Sequence, residues 1–439
     1  MQTTLNFNID GGRKLHGTID INSSKNGAVA LLCASLINRG TTTLTRVPKI
    51  EEVNRLIEVL RSIGVGVVWH GSTVTITQPK KFTLSKIDRV AAEKTRSILM
   101  FTGALVHSLA SFSLPQAGGC KLGSRTVRPH LFALQKFGVD IKTTKGLWQV
   151  TRSRLLHAVV VMYESGDTAT INAILCAAGI PGKSVIKYAS ANYQVQEVCF
   201  FLQKLGIKID GVGATTLVVH GKKVIKKNVR YSVSEDPTDA MFFLAAAIVT
   251  NSSITIRRCP IDFIELELLV LEKMGFRYHI LRRYKGRGGH VNLADIKTFH
   301  SSLIAAPEKI AARPYPGLNM DNLPFFAVIA TQARGTTLVH DWVYEKRALY
   351  FTELDKLGAT TLLADPHRIY ITGKTPLKPA DLVCPPALRP ATILLIAMLA
   401  APGRSTLRNV YSINRGYEGL ALKLSSLGAR VELVEESHP

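Results

Sequence analysis

Six copies of one helix-ending signature divide this chain of 439 residues at intervals of 68 to 83 residues. Each copy is an apolar helical run that ends in Leu, two further residues, a bulky apolar residue and Gly; the glycines are Gly64, Gly138, Gly206, Gly275, Gly358 and Gly428. Because Gly adopts a positive φ without a Cβ penalty, each one is predicted to end its helix in the left-handed conformation. Alternating stretches such as VGVVWHGSTVTIT follow and predict hairpins. A repeat of this length is a helix-plus-hairpin subdomain, too large for one turn of a solenoid.

The chain length and the repeat count together predict two α/β domains with three repeats each. Packing three amphipathic helices about an axis buries them together, which places the helices inside and the sheets outside. The boundary is predicted in the strand-rich stretch KKNVRYSVSEDP, so the first domain spans residues 23–232. The second domain spans residues 1–22 and 233–439, because the N-terminal residues precede the first unit and must pair elsewhere.

Composition places the chain among globular proteins, with 46% apolar and 20% charged residues. The longest apolar stretches, residues 242–249 and 392–401, are shorter than the roughly 18 residues that span a bilayer, and they predict buried helices and no membrane insertion. The N-terminus has no basic segment followed by an apolar one, so no secretory signal is visible and a cytoplasmic location is expected.

The six cysteines are scattered, without the spacing of a metal site or of a disulfide framework. This spacing indicates no metal, and five of the cysteines are interpreted as small core residues. No cofactor is predicted, and the chain has no Walker loop, GxGxxG or HExxH element. Cys120 differs, because it lies in a Gly-rich loop where the charges of Lys121 and Arg125 would favour a reactive thiolate. An inert buried thiol is the alternative, which the poor core character of PQAGG disfavours.

The net charge of +23 is high, and part of it comes from KKVIKK (residues 222–227) and RRYKGRGG (residues 282–289). Both segments are interpreted as solvated turns, with contact to nucleic acid or anionic lipid as the alternative. Neither segment has the repeated interleaving of basic and aromatic residues of a nucleic-acid platform, so a nucleic-acid partner is disfavoured. The sequence leaves the oligomeric state open.

Charged residues concentrate in the non-periodic turns at equivalent ends of the units. A site that collects several cations requires a polyanionic substrate, because Arg binds carboxylate or phosphate through a planar fork and Lys adds a compact charge. Asp321 can be a general base or a helix cap, and Arg347 and Arg415 can be ligands or solvated residues. The candidates are Lys25, Asn26, Arg96, Cys120, Arg125, Asp321, Arg347, Arg415 and Glu418.

Six segments follow one another across nearly the whole chain: SSKNGAVALL, VPKIEEV, SLPQAGGCKLGSR, YPGLNMDN, VYEKR and YSINRGYE. Together they resemble the UDP-N-acetylglucosamine 1-carboxyvinyltransferase (enolpyruvyl transferase) family. The resemblance implies an α/β fold of two inside-out prism domains, each of three helix-strand units. It also implies transfer of the enolpyruvyl group of phosphoenolpyruvate to the 3-hydroxyl of UDP-N-acetylglucosamine, with release of phosphate, as the first committed step of peptidoglycan precursor synthesis.

The resemblance assigns five cations to the anionic donor. Lys25, Arg125 and Arg415 would hold the phosphate and carboxylate of phosphoenolpyruvate. Arg96 and Arg347 would add to this anion site. Side chains that are hundreds of positions apart in the sequence would therefore meet around one small molecule.

Three further roles are implied by the same resemblance. Cys120 would protonate the methylene carbon of the donor and would be the residue that epoxide inhibitors such as fosfomycin alkylate. Asp321 would take the proton from the sugar 3-hydroxyl, and Asn26 would hold the amino sugar.

The departures from the family pattern concern the acceptor pocket. The chain reads GSRTVRP where the family usually reads GARPVD, so Thr126 stands for Pro and Arg128 for Asp. The Cys120 loop is longer, and ESGDTAT (residues 164–170) matches only loosely a Ser-Val-Gly segment of the uridine site. Two other functions follow as alternatives: a paralogue that uses a different nucleotide or hydroxylated acceptor in secondary metabolism, and a basic binding protein that retained the scaffold. The second is disfavoured because the candidate residues are retained together.

Overall fold

The computed structural model describes residues 2–116 and 126–438. Its strands are β1 (Gln2–Gly11), β2 (His16–Asp20), β3 (Thr42–Thr45), β4 (Gly66–His70), β5 (Thr73–Thr77), β6 (Ser111–Pro115), β7 (Val139–Thr144), β8 (Leu147–Arg152), β9 (Val159–Val161), β10 (Gly182–Lys187), β11 (Lys208–Asp210), β12 (Thr216–Gly221), β13 (Val229–Ser232), β14 (Ser253–Pro260), β15 (Tyr278–Lys285), β16 (Asn292–Thr298), β17 (Ile310–Ala311), β18 (Gly335–His340), β19 (Thr360–Asp365), β20 (Arg368–Gly373), β21 (Asp381–Val383), β22 (Gly403–Arg408) and β23 (Arg430–His438).

The helices alternate with these strands. The α-helices are α1 (Lys25–Ala34), α2 (Glu51–Ser62), α3 (Arg89–Glu93), α4 (Phe101–Leu105), α5 (Arg128–Gln135), α6 (Asp167–Ala178), α7 (Tyr193–Lys204), α8 (Pro237–Val249), α9 (Glu265–Lys273), α10 (Leu323–Ala330), α11 (Leu388–Ala400), α12 (Tyr411–Asn414) and α13 (Leu420–Ser426). Short 3-10 helices cover Ser35–Ile37, Leu84–Lys86, Arg96–Met100, Ile261–Phe263 and Ala348–Leu357.

Internal contacts divide the described chain into two units. The first unit comprises residues 23–116 and 126–234, and the second comprises residues 2–22 and 235–438. Each unit has three sheets. Those of the first unit have the strand orders β13-β3-β5-β4, β6-β8-β7 and β11-β12-β10-β9, and those of the second have the orders β15-β16-β14-β2, β17-β18-β20-β19 and β21-β22-β1-β23.

Five of these sheets repeat one pairing pattern. An edge strand runs parallel to its neighbour, and the remaining pairs are antiparallel, as in β13-β3-β5-β4. The N-terminus completes the last of them, because β1 pairs antiparallel with both β22 and β23. The strand β2 pairs parallel with β14. The first twenty residues therefore supply strands to two sheets of the second unit.

The central helices of both units are buried on all sides, as expected for helices inside and sheets outside. All thirteen residues of α8 are buried, and so are all eight of α10. In the first unit, α6 is buried from Ala169 to its last residue. Helices that are apolar all round cannot face water, so the three repeats of a unit must enclose them. The predicted α/β architecture is confirmed.

The six signature glycines all have a positive φ, between 86° and 94°. At the first, the amide of Gly64 donates to the carbonyl of Arg61 and the amide of Val65 donates to the carbonyl of Leu60, both at 3.0 Å. This is the pair of bonds of a Schellman motif, which satisfies carbonyls that the helix end leaves open. The prediction of left-handed caps is confirmed at every copy.

Two local predictions differ from the structure. The fifth copy of the helix is a 3-10 helix, Ala348–Leu357, where the run of Tyr, Phe and Thr at residues 350–352 has low α-helix propensity. The segment RRYKGRGG is not wholly a turn, since its first four residues lie in β15, an edge strand. Basic side chains on an edge strand oppose pairing with other chains.

Cys33, Cys176, Cys199, Cys259 and Cys384 are buried free thiols, as predicted. Burial raises the pKa of Cys199 and of Cys384 to about 12, so these thiols are inert. Within residues 2–116 and 126–438, no helix is long and apolar enough to cross a membrane. In the same ranges, His, Cys, Asp and Glu form no group of three that could hold a metal ion.

Candidate active site

Lys25 and Asn26 are the first two residues of α1 in the first unit. The side chain of Ser24 caps this helix and accepts a hydrogen bond from the amide of Gly27 at 2.9 Å. The side-chain amide of Asn26 donates to the hydroxyl of Tyr193 at 2.9 Å. A helix start carries partial positive charge, and a lysine there strengthens its preference for anions.

Glu52 connects this helix start to the segment that carries Arg96. Its carboxylate accepts from the ammonium of Lys25 at 3.0 Å, and the two side chains are only 10% and 13% exposed. The hydroxyl of Ser97 donates to the same carboxylate at 3.3 Å. Glu52 thus fixes the ammonium of Lys25 in place and ties α1 to the residues after α3.

Arg96 and Arg128 meet the same residue, Thr126. The guanidinium of Arg96 donates to the carbonyl of Thr126 at 3.0 Å. The hydroxyl of Thr126 accepts from the amide of Arg128 at 3.1 Å. Thr126 and Arg128 are the two positions that depart from the family pattern, and Arg128 is the exposed first residue of α5. A cation at a helix N-terminus is electrostatically unfavourable, whereas an acidic residue there would be favourable.

The segment ESGDTAT places Asp167 at the start of α6. Its carboxylate accepts hydrogen bonds from Ser190, Asn192 and Gln194, the one from Asn192 at 3.2 Å. These bonds connect α6 to the residues that begin α7. Asp167 therefore orders this end of the first unit.

Glu267 of α9 holds the segment that carries Asp321 in the second unit. The carboxylate of Glu267 accepts from the backbone amide of Asn319 at 3.1 Å and from the side chain of Asn322 at 2.8 Å. Burial raises the pKa of Glu267, although both hydrogen bonds act against this shift. The side-chain oxygen of Asn319 also accepts from the amide of Asp321 at 2.9 Å. Residues 319–322 thus form a fixed turn.

Asp321 faces a buried arginine from α11. A guanidinium nitrogen of Arg389 lies 3.3 Å from the Asp321 carboxylate, and the Arg389 side chain is 8% exposed. A second nitrogen of Arg389 donates to the hydroxyl of Tyr417 at 2.9 Å. The Asp321 side chain is 24% exposed, so its carboxylate is held by a cation and still reaches solvent. A general base needs this combination of fixed position and access.

Arg347 is buried, with its side chain 1% exposed. Its guanidinium forms an ion pair with the buried carboxylate of Asp341 and donates to the carbonyl of Met320 at 2.7 Å. It also lies 4.1 Å from the ring centre of Tyr344. Since Met320 precedes Asp321, this placement makes Arg347 a support of the Asp321 turn. Its part in anion binding stays a prediction.

Arg415 follows α12 and is half-buried. It belongs to the same short segment as Tyr417, the hydroxyl partner of Arg389. The carbonyl of Glu418 in this segment accepts from the side chain of Asn22 at 3.3 Å. Residues 415–418 therefore lie in the second unit near the Arg389 cluster.

The sequence model of the EPSP synthase (3-phosphoshikimate 1-carboxyvinyltransferase) family matches residues 9–424. The chain belongs to the EPSP synthase family. This chain is 31% identical to the UDP-N-acetylglucosamine 1-carboxyvinyltransferase of Treponema denticola, over 98% of this chain and 99% of the relative. It is 30% identical to the enzyme of the same name from Porphyromonas gingivalis, over 96% and 98%. The resemblance drawn from the motifs is confirmed.

The fold of this EPSP synthase family member is similar to a solved structure, the enolpyruvyl transferase NikO from Streptomyces tendae. The TM-score is 0.86, with 99% of this chain and 100% of the other covered, at 23% sequence identity. The two-domain α/β fold is therefore shared over the whole length.

Two of the predicted site residues, Cys120 and Arg125, lie outside the described residues. Of the others, Lys25, Asn26 and Arg96 belong to the first unit, where Glu52 bonds Lys25 and Ser97, the residue that follows Arg96. Asp321, Arg347 and Arg415 belong to the second unit, where the Asp321 turn joins to Arg347 through Met320 and to Arg389 directly.

Sequence reasoning missed the residues that hold these candidates in place. One of them, Arg389, could have been predicted to matter, because an arginine in the first turn of the apolar helix LRPATILLIAMLA needs a buried partner. Glu52 could also have been noticed, because the two acidic residues of VPKIEEV are the first two residues of α2. The missed residues are Glu52, Glu267, Asp341, Arg389 and Tyr417.

Proposed function

We propose that this protein transfers the enolpyruvyl group of phosphoenolpyruvate to the 3-hydroxyl of UDP-N-acetylglucosamine and releases phosphate. The observation that carries the proposal is its identity of 30% and 31%, over nearly full length, to two relatives named for this transfer. The matched motifs include the residues with a proposed role in the chemistry, except Arg96. The reaction would begin peptidoglycan precursor synthesis.

Both substrates are anionic, which the candidate residues accommodate. Lys25 at the start of α1, with Arg96, Arg125, Arg347 and Arg415, is proposed to bind the phosphate and carboxylate of the donor. The Lys25 ammonium is fixed by Glu52 at 3.0 Å, so it pays little conformational entropy on binding. Preorganised cations of this kind stabilise charge that develops in the transition state.

The proposed reaction is an addition followed by an elimination. Asp321 takes the proton of the 3-hydroxyl, whose oxygen forms a bond to C2 of the donor. The Cys120 thiol delivers a proton to C3, which becomes a methyl group. Loss of phosphate from C2 and of one proton from C3 restores the double bond. Asn26 is proposed to hold the amino sugar during these steps.

The direct test is release of phosphate from phosphoenolpyruvate that depends on UDP-N-acetylglucosamine. Asp321→Asn keeps the size of the side chain and removes the base, so the rate is expected to fall roughly 100-fold to 10,000-fold. Asp355→Asn is the control, because Asp355 is an exposed carboxylate of the same unit that bonds the hydroxyl of Thr361. A folded sample that releases no phosphate with this acceptor would refute the proposal.

A second acceptor is supported by the environment of Thr126 and Arg128. These two residues depart from the family pattern. Arg96 donates to the carbonyl of Thr126, and the hydroxyl of Thr126 accepts from the amide of Arg128 at the start of α5. An added positive charge there suits an acceptor with more negative charge near this helix. Mass spectrometry of products from a panel of nucleotides and hydroxylated acceptors distinguishes the two proposals. Preference for another acceptor would make the protein a paralogue with the same chemistry.

A further inference from the structure

The positive charge of this protein is concentrated in one part of the chain. Residues 23–234 contain 29 Lys and Arg against 10 Asp and Glu, a net charge of +19. Residues 1–22 and 235–439 contain 26 against 22, a net charge of +4. Since the proposed reaction draws on both parts, substrate binding does not explain why one of them carries most of the charge.

Six exposed cations of the first unit form one surface, which we name the lysine surface. Its centre is the loop of residues 222–228 between β12 and β13, and its edges are the turn after α1 and the end of α7. The members of the lysine surface are Arg39, Lys204, Lys222, Lys223, Lys226 and Lys227.

Hydrogen bonds hold this loop against both neighbours. The side chain of Asn38 donates to the carbonyl of Lys227 at 2.9 Å, and the amide of Lys227 donates back to Asn38 at 3.1 Å. The ammonium of Lys227 donates to the carbonyl of Lys204, the last residue of α7, at 2.9 Å. The side chain of Ile225 is buried beneath the loop. The lysines are thus presented by a fixed backbone.

The segments that supply five of the six residues of the lysine surface contain no acidic residue. Residues 23–50 and 211–234 contain no Asp or Glu. Asp210, which precedes residue 211, already contacts two basic side chains: its carboxylate lies 2.9 Å from His220 and 3.8 Å from Lys208. Within the described ranges, no carboxylate forms an ion pair with Lys222, Lys223 or Lys226. The charges of the lysine surface are therefore available to an external polyanion.

The chemistry of the loop favours a lipid surface over a nucleic acid. Five of the six cations are lysines, which act as point charges without the planar fork that reads bases and phosphates. The loop has no aromatic side chain on which a base could stack. Between its two lysine pairs stands Val224, whose side chain is 55% exposed and can enter the interfacial layer of a bilayer. Clusters of four to eight lysines and arginines bind anionic lipid headgroups.

We propose that the lysine surface docks the first unit on a membrane that contains anionic lipid. The contact is peripheral, made by the ammonium groups with headgroup phosphates and by Val224 with the interface. It does not depend on the proposed reaction, so either proposal can fail without the other. Binding is expected to weaken steeply as salt is raised, because exposed charges are screened.

Sedimentation of the full chain with vesicles tests the proposal. The protein is expected to bind vesicles of phosphatidylcholine mixed with phosphatidylglycerol, and not vesicles of phosphatidylcholine alone. The triple variant Lys222→Gln, Lys223→Gln, Lys226→Gln is expected to lose roughly 100-fold in partition coefficient at low salt. Val224→Ser is expected to cause a smaller loss that persists when salt is raised, since it removes an apolar contact.

The matched control changes three exposed lysines elsewhere in the first unit, Lys136→Gln, Lys142→Gln and Lys145→Gln. It has the same net charge as the triple variant, so it should keep most of the vesicle binding. Equal loss in both triple variants would overturn the proposal in favour of unspecific charge. Absence of binding to anionic vesicles would overturn it as well, and so would tighter binding to single-stranded RNA that requires the same lysines. The unfolding midpoint of each variant verifies that the fold is intact.

Discussion

The first and second units share one repeat plan and differ in where their charges lie. The first unit has a large net charge, and its central ion pair, Lys25 with Glu52, keeps 13% and 10% of its side-chain surface exposed. The second unit is nearly neutral, and its Arg347–Asp341 pair is buried at 1% and 0%. Helix caps and apolar faces determine the repeat, so charge can vary between copies without altering the fold.

The difference in burial predicts different costs for removing a cation. Arg347→Ala would leave Asp341 as a buried charge without its partner, which costs about 3–5 kcal/mol of unfolding free energy. Lys25→Ala leaves Glu52 nearer to solvent and still bonded by the hydroxyl of Ser97, so about 1–3 kcal/mol is expected. Unfolding in urea measures both. Equal costs would show that burial does not separate the two pairs.

The second unit also contains a buried acid that should respond to pH. Burial, together with the nearby charge of Asp236, raises the pKa of Asp239 from 3.8 to about 6. The charge of Lys423 at 3.8 Å, the hydrogen bond from the amide of Asn22 and the charge of Arg389 lower the pKa and offset part of this shift. The folded state therefore holds a proton more tightly than the unfolded state, so stability falls as pH rises through this window. The free energy of unfolding is therefore lower above pH 6 than below pH 3.8 by about 3 kcal/mol.

Asp239→Asn removes this titration. The variant should match the wild type at the acidic end of the window and be more stable at its upper end, with the amide of Asn22 still able to donate to the Asn oxygen. Unfolding free energies at pH values on both sides of the window provide the measurement. A constant difference between the two proteins across the window would contradict the assignment.

The signature glycines test how alike the copies are in the two units. Gly206→Ala and Gly275→Ala each place a Cβ at a φ of 89°, which costs about 1–2 kcal/mol. Gly275→Ala should destabilise more, because its methyl group would lie 3.1 Å from the backbone carbonyl oxygen of Ser302. At Gly206 the neighbouring atom is the ammonium of Lys222 at 3.6 Å, which can move away. Gly286→Ala is the control, since its φ is not positive and its Cβ would have ordinary contacts. Thermal unfolding of the three variants ranks the costs.

Arg128 gives the smallest expected effect and concerns the charge of the first unit directly. Arg128→Asp should stabilise the start of α5 by about 0.3–1 kcal/mol, because an acidic side chain suits a helix N-terminus. Arg128→Gln should give an intermediate value. A stability that does not follow the order Arg, Gln, Asp would mean that another contact of Arg128 outweighs the helix dipole.

The sequence predicted the elements of the first repeat closely. The helix predicted to end at Gly64 is present as α2, and the hairpin predicted from VGVVWHGSTVTIT is present as β4 and β5. These elements depend on residues within a few positions of one another, which is why their pattern is visible in one sequence. The fifth copy is the exception, since its helix is of the 3-10 type.

The candidate site was less accessible from sequence. The motifs made Lys25, Asn26 and Asp321 candidates, and their roles stay predictions, but the side chains that fix them belong to other elements. Glu267 supports a turn more than fifty residues further along the chain, and Arg389 reaches Asp321 from 68 residues away. No local pattern encodes such pairs, because the topology of the unit decides which elements become neighbours.

The sequence by itself determined the six repeats, the glycine caps, the buried helices and the family, since all of these follow from short-range periodicity and from motifs. Only the tertiary structure decided which carboxylate each cation meets. Burial and partner choice arise when distant elements pack, and they convert a row of charged residues into a buried pair at Arg347, a fixed ammonium at Lys25 and an exposed lysine surface on the first unit.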